Sequence, residues 1–180
     1  MGSRTASSVT MAAAKADVMA VIADFDRYPQ WVTAMRSAEV LETGADGRAD
    51  KVRFQLDAGL VRDTYVLAYR WDGDSEVSWE LAEPGSVVAE MSGGYRLAET
   101  GVAGTGAVES GAAESGAVES GAAKSGARCE VSYELTVDVR MPMPGLLKRK
   151  AEKMIIDTAL KGLKAQAESR TSAGGTGGAR

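Results

Sequence analysis

Apolar and polar residues alternate along the middle of this chain with a period of two, and recur near every third or fourth position towards both ends. A period of two puts every second side chain on one face of a strand; recurrence at i, i+3, i+4 and i+7 marks one face of a helix. The cleanest alternation is Cys129–Arg140, where Cys129, Val131, Tyr133, Leu135, Val137 and Val139 share a face and Glu130, Ser132, Glu134, Thr136 and Asp138 take the other. The same rhythm predicts strands at Met35–Glu42, at Lys51–Asp57 with Val52, Phe54 and Leu56 together, and at Val61–Trp71 with Tyr65, Leu67, Tyr69 and Trp71 together. Two more follow, Glu76–Glu83 around Val77, Trp79 and Leu81, and Val87–Leu97 around Val87, Ala89, Met91, Tyr95 and Leu97. Turn signals at Gly44-Ala45-Asp46-Gly47, Ala58-Gly59 and Pro84-Gly85 separate them.

Helical spacing bounds this block of strands. A short strand around Ser8–Met11 leads into a helix of about Lys15–Asp24, with Val18, Val21, Ile22 and Phe25 in helical phase, and Arg27-Tyr28-Pro29 breaks it. At the other end Met141-Pro142-Met143-Pro144-Gly145 stops the sheet, and Leu146 to about Glu168 reads as an amphipathic helix. Its predicted apolar face is Ile156, Ala159, Leu160, Leu163 and Ala167; its predicted polar face is Glu152, Lys153, Asp157, Lys161, Lys164 and Glu168.

Glycine changes this picture, because 21 glycines against ten aromatics are too many for one 180-residue core. From Gly106 to Ser125 the chain reads GAVES-GAAES-GAVES-GAAKS, four copies of a five-residue unit that matches neither the helical nor the strand period. The unit offers only Ala and Val to bury, too little to repay its ordering entropy. Residues 99–127 are therefore expected to be a flexible insertion, and 170–180 a disordered Gly/Ser/Thr tail. What remains is one domain over residues 8–169, about 130 residues once the insertion is removed, and it holds every aromatic residue.

Charge and composition exclude more than they suggest. With no histidine the chain builds no Ser-His-Asp triad, no His-ligated metal and no imidazole acid–base pair. The lone Cys129 makes no intramolecular disulfide or thiolate cluster, lacks a partner base, and suits the reducing cytoplasm. Neither a metal nor a cofactor is expected. A net charge of −4 argues against nucleic-acid binding, and no secretory or membrane-spanning run is visible, so a cytoplasmic protein is expected.

An amphipathic helix laid on one face of a curved antiparallel sheet is an α+β arrangement. The stretch from Ala16 to Trp31, with its V…I.D…YP.W pattern, followed by Glu39-Val40-Leu41-Glu42, resembles the opening of the START-like (SRPBCC) superfamily. Pro144-Gly145-Leu146-Leu147 and the later Ala159–Lys164 are similar to that superfamily's last helix. The resemblance implies the helix-grip fold: a curved antiparallel sheet gripping a long C-terminal helix, with two short helices near the N-terminus. It also implies a cavity between sheet and helix, of the kind used by polyketide cyclase/dehydrase and lipid-transport proteins. The repeat, and Ala12-Ala13-Ala14 where members often carry a proline, depart from the family pattern.

Strand phase then assigns the lining of that cavity: Phe54, Leu56, Tyr65, Leu67, Tyr69, Trp79, Met91, Tyr95, Tyr133 and Leu135, with Met154, Ile155 and Thr158 from the helix. The same residues would also serve as ordinary core. Gly93-Gly94 would leave room for a ligand. Asp63 falls in phase with Tyr65 but lies at the strand end beside the Gly59 turn, where exposure is the first expectation; buried, its carboxyl would have a raised pKa suited to acid–base work, and Asp63 and Tyr65 are the catalytic candidates. Arg53, Arg62, Arg70 and Arg96 fall out of phase and are expected on the outer face. Lys148, Arg149, Lys150 and Lys153 form a basic patch that reads first as a solvated helix face and would also suit transient contact with an anionic membrane surface. Three functions follow from these features: binding or transport of a lipid, quinone or polyketide-like molecule, a polyketide cyclase/dehydratase-type enzyme, or a protein-interaction module. The oligomeric state is open.

Overall fold

A computed structural model describes residues 4–57, 62–100, 127–140 and 144–173, with backbone alone at 147, 148 and 173. In chain order the elements are β1 (Thr5–Met11), α1 (Lys15–Ala23), a 3-10 turn (Phe25–Arg27), α2 (Tyr28–Trp31), β2 (Met35–Thr43), β3 (Ala49–Asp57), β4 (Arg62–Asp72), β5 (Glu76–Glu83), β6 (Val88–Thr100), β7 (Arg128–Val139) and α3 (Gly145–Ala173). The strands form one curved antiparallel sheet in the order β1-β7-β6-β5-β4-β3-β2. Strands β2 to β7 are thus a simple meander. The N-terminal strand lies at the far edge against β7, while α1 and α2 carry the chain across the sheet to β2.

Alternation fixes which face is inside. Phe54, Tyr65, Leu67, Tyr69, Val77, Trp79, Tyr95, Leu97, Cys129, Val131, Tyr133 and Leu135 are all buried. One register shift, between Val88 and Glu90, moves Val88 rather than Val87 into the core. The outer face carries cross-strand ion pairs, Arg53 with Glu39, Arg70 with Glu80 and Arg96 with Glu76, on exposed side chains as their phase predicts. Each is worth at most about 1 kcal/mol. Strand β6 runs to Thr100 and pairs Thr100 with Arg128, so Glu99 and Thr100 belong to the sheet. The five-residue repeats, the Ala58-Gly59 turn, Met141–Met143 and residues 174–180 lie outside the described residues.

The inner face is roofed by α1, whose Val18, Met19, Val21 and Ile22 are buried, and by α3. Along α3 the buried positions are Glu152, Ile156, Ala159, Leu160, Leu163 and Ala167. The C-terminal half of the helix is fastened to the sheet and to α1: Lys164 Nζ donates to the Thr10 carbonyl, the Ala12 N–H donates to Glu168 Oε1, and Arg170 pairs with Asp24. Gly162 lets the helix approach α2 closely, since a Cβ there would lie 2.6 Å from the Trp31 carbonyl oxygen. Among the described residues no helix is long and apolar enough to cross a membrane.

Candidate functional site

All ten aromatic residues of the chain join in one continuous set of ring contacts, with centroids 4.4–6.5 Å apart. The path starts at Trp31 and Tyr28 on α2, crosses Phe25 and Phe54, and continues along the inner face through Tyr69 and Trp79 to Tyr95 and Tyr133, with Tyr65 branching from Phe54. Trp71 joins it through Phe25 and Tyr69. Strand phase accounts for the gathering: Tyr69 pairs with Trp79, and Tyr95 with Tyr133, so rings on neighbouring strands stand side by side.

The chemistry of this interior is that of neutral phenols. Burial pushes the hydroxyls of Tyr28, Tyr65, Tyr69, Tyr95 and Tyr133 above their ordinary value of 10.0. The other four tyrosines lie close enough to Tyr69 to add to its shift. Tyr28 donates to the Ile22 carbonyl at 2.9 Å. Phenols held in this way are hydrogen-bond donors, suited to a ligand carbonyl, and do not act as bases near neutral pH.

Asp63 is only 7% exposed: its phase with Tyr65 turns it inward, against the exposure expected of a strand end beside the Ala58-Gly59 turn. Its pKa moves the opposite way from the expectation. Burial alone raises it, but the backbone N–H groups of Val88, Ser86 and Val87 and the Ser86 hydroxyl all donate to it at 2.7–3.1 Å, and their combined effect holds it below its ordinary 3.8. Asp63 therefore fastens the turn between β5 and β6. An open groove of about 820 Å³ borders this turn, lined by Arg36, Gln55, Leu56, Asp57, Arg62, Asp63, Thr64 and Pro84–Ser86. Its two arginines both engage Asp57.

The structure brings Phe54, Tyr65, Leu67, Tyr69, Trp79, Tyr95, Tyr133 and Leu135 together on the buried inner face, with Leu56 and Met91 partly buried beside them. The helix residues are the correction. Met154 is 61% and Ile155 50% exposed, and Thr158 is exposed as well. At about 100° per residue Met154 points some 200° away from Ile156, so one helix cannot turn both towards the sheet. Gly93 is a second correction: a Cβ there would lie 2.8 Å from the Trp79 ring, so the space it leaves is taken by that indole. Cys129 is fully buried, and burial raises its thiol pKa.

One buried acid stands on the opposite face from the one its charge predicts. Glu152 is only 2% exposed; Thr5 Oγ1 donates to its Oε2 at 2.7 Å, and its Oε1 has no partner among the described residues. Charge alone places it among the polar residues, although its spacing to Ile156, Leu160 and Leu163 is that of the buried stripe. Trp31 Nε1 is likewise buried without a partner.

A curved seven-stranded sheet closed by a long C-terminal helix over an aromatic interior defines the START class of ligand-binding folds. Residues 11–164 match the family described as polyketide cyclase / dehydrase and lipid transport, and the chain belongs to that family. Among solved structures it is similar to a START superfamily protein from Mycobacterium smegmatis (TM-score 0.71, 17% identity, 93% of this chain and 98% of that one). It is also similar to the Zhui aromatase/cyclase from Streptomyces sp. R1128 (0.68, 17%, 97% and 99%). A third similar structure is a protein of Thermus thermophilus (0.62, 18%, 97% and 100%). At these identities the likeness concerns the fold. No curated protein matches the sequence.

Proposed function

We propose that this protein binds a hydrophobic small molecule, a lipid, quinone or polyketide-like compound, between the inner face of the sheet and α3. The observation that carries this reading is the single aromatic network with five raised-pKa phenols gathered within it. Flat apolar walls would supply most of the affinity, and the phenols would orient ligand carbonyls. Mass spectrometry of organic extracts from gently purified protein tests it: a stoichiometric hydrophobic compound is expected, and an empty protein that also fails to take up aromatic probes would overturn it.

A cyclase reading is the second, favoured by the likeness to an aromatase/cyclase and by donors spaced along an extended inner face. In it the phenols would hold the carbonyls of a poly-β-ketone in a folded arrangement. Tyr65→Phe would then change the product distribution from such a substrate, and an unchanged distribution would count against it.

A transport role would draw on the N-terminal end of α3, where Leu146 is 84% exposed beside the exposed Arg149, Lys150 and Lys153. Apolar side chains among cations suit an anionic lipid surface. The buried lone Cys129 is compatible with a cytoplasmic setting.

A further inference from the structure

The described interior holds two buried acids, and they are treated in opposite ways. Asp63 accepts four hydrogen bonds from a single turn and is satisfied within the fold. Glu152 is more deeply buried yet, among the described residues, accepts only one, from Thr5, and its Oε1 is left without a donor. Buried carboxyl oxygens are costly to leave unpaired, and native structures rarely do so without a reason. Lys153, next to Glu152 in sequence, pairs with Asp157, and Arg4, next to Thr5, pairs with Glu134.

The location supplies the reason. Thr5 alternates in phase with Val9 and the buried Met11 on the inner face of β1. It sits opposite Leu135, and Ser7 sits opposite Tyr133, both on β7. Glu152 thus comes down from α3 onto the edge of the inner face that ends the aromatic path at Tyr133. Thr5 holds one oxygen, leaving the other for something the described residues do not provide.

We infer that Glu152 is the polar anchor of the ligand site, accepting a hydrogen bond at Oε1 from the donor head, a hydroxyl or an ammonium group, of a molecule whose apolar body lies along the aromatic path. Thr5 is its positioning residue. This rests on the proposed ligand-binding reading and adds the class of head group. The tyrosines at the path's far side meet carbonyls, whereas this end selects a donor.

Isothermal titration with three naphthalenes of the same body tests it: 2-naphthol, 2-naphthylmethylammonium and 2-methylnaphthalene. The wild-type protein should prefer at least one donor probe over 2-methylnaphthalene by about tenfold, and which one is preferred separates the hydroxyl from the ammonium source. Glu152→Leu, which keeps the apolar contacts, should cut that preference below about threefold while 2-methylnaphthalene still binds. Should Glu152→Leu fail to fold, Glu152→Gln keeps the shape and should still lower the ratio at least threefold. Lys161→Met, which removes an exposed charge farther along the same helix, should leave the ratio at its wild-type value. A wild-type protein with no preference, a ratio that survives in the folded Glu152 variant, or a loss reproduced by Lys161→Met would each overturn the inference. If 2-methylnaphthalene and both donor probes all fail to bind the wild-type protein, the ligand-binding reading falls with it.

Discussion

At the scale of single residues, two groups of side chains couple this fold to pH in opposite directions. Asp63 is held below its ordinary pKa by four donors, so it binds protons less readily when folded than unfolded. Its stabilising contribution is complete above about pH 5 and is lost as the pH falls through its lowered value. Asp63→Asn should cost about 1.5–3 kcal/mol at pH 7, the range for hydrogen bonds to a charged group. It should also flatten the acid limb of the stability curve; urea unfolding between about pH 2.5 and 7 checks both. The five tyrosines are shifted the other way. Their contribution is complete below about pH 10 and is lost above it, because the unfolded chain ionises first. Tyrosinate absorbance should therefore stay low above about pH 10 and rise only together with unfolding; early, non-cooperative ionisation of all five would contradict their burial.

Among the elements, α3 has two halves of different character. Its C-terminal half is fastened by Gly162 against Trp31 and by bonds to Thr10, Ala12 and Asp24, whereas the first half meets the sheet through Glu152 and Ile156 and leaves Leu146, Met154 and Ile155 in solvent. Ile156→Ala should cost about 2–5 kcal/mol by opening a cavity at a fully buried site, and Met154→Ala less than about 0.5 kcal/mol. Thermal unfolding of the two variants separates them. The strands are legible in the sequence because alternation along β3 to β7 decides both the element and its inner face. The helix is legible in its start and in its Ile156–Ala167 stripe, but it runs to Ala173 and takes in residues 170–173, expected in the tail. Which residues of its first half face the sheet is not legible, because apolar character draws Met154 and Ile155 inward and charge draws Glu152 outward, while the spacing alone has the opposite answer. Strand phase allows Asp63 an inward place, but its position at a strand end argues for exposure; what buries it is a set of donors from a turn more than 20 residues away, about which strand phase carries no information.

For the whole molecule, the order of strands and the covering helices α1 and α3 explain why a 180-residue chain needs only a core of about 130 residues. β6 and β7 pair in register up to Thr100 and Arg128, so their hairpin is formed on the near side of the repeats. Deleting residues 106–125 should therefore shift the melting temperature by no more than a few degrees, since loop closure changes only by about 0.6 kcal/mol per doubling of length. A loss of cooperative unfolding would show that the repeats are part of the core. What the sequence does not supply at this scale is how the ten rings meet, because Trp31 and Tyr28 join Phe54 only after α1 and α2 have crossed the sheet. The most direct test of the account is NMR titration with 2-naphthol, followed through the indole N–H signals of Trp31, Trp71 and Trp79. Binding between sheet and α3 predicts a saturable shift at Trp79, together with backbone shifts at Tyr133 and Leu135 and none at the outward-facing Arg70 and Glu80. Saturable shifts confined to the exposed face of α3 or to the groove around Arg36 and Arg62, with Trp79 unmoved, would contradict it.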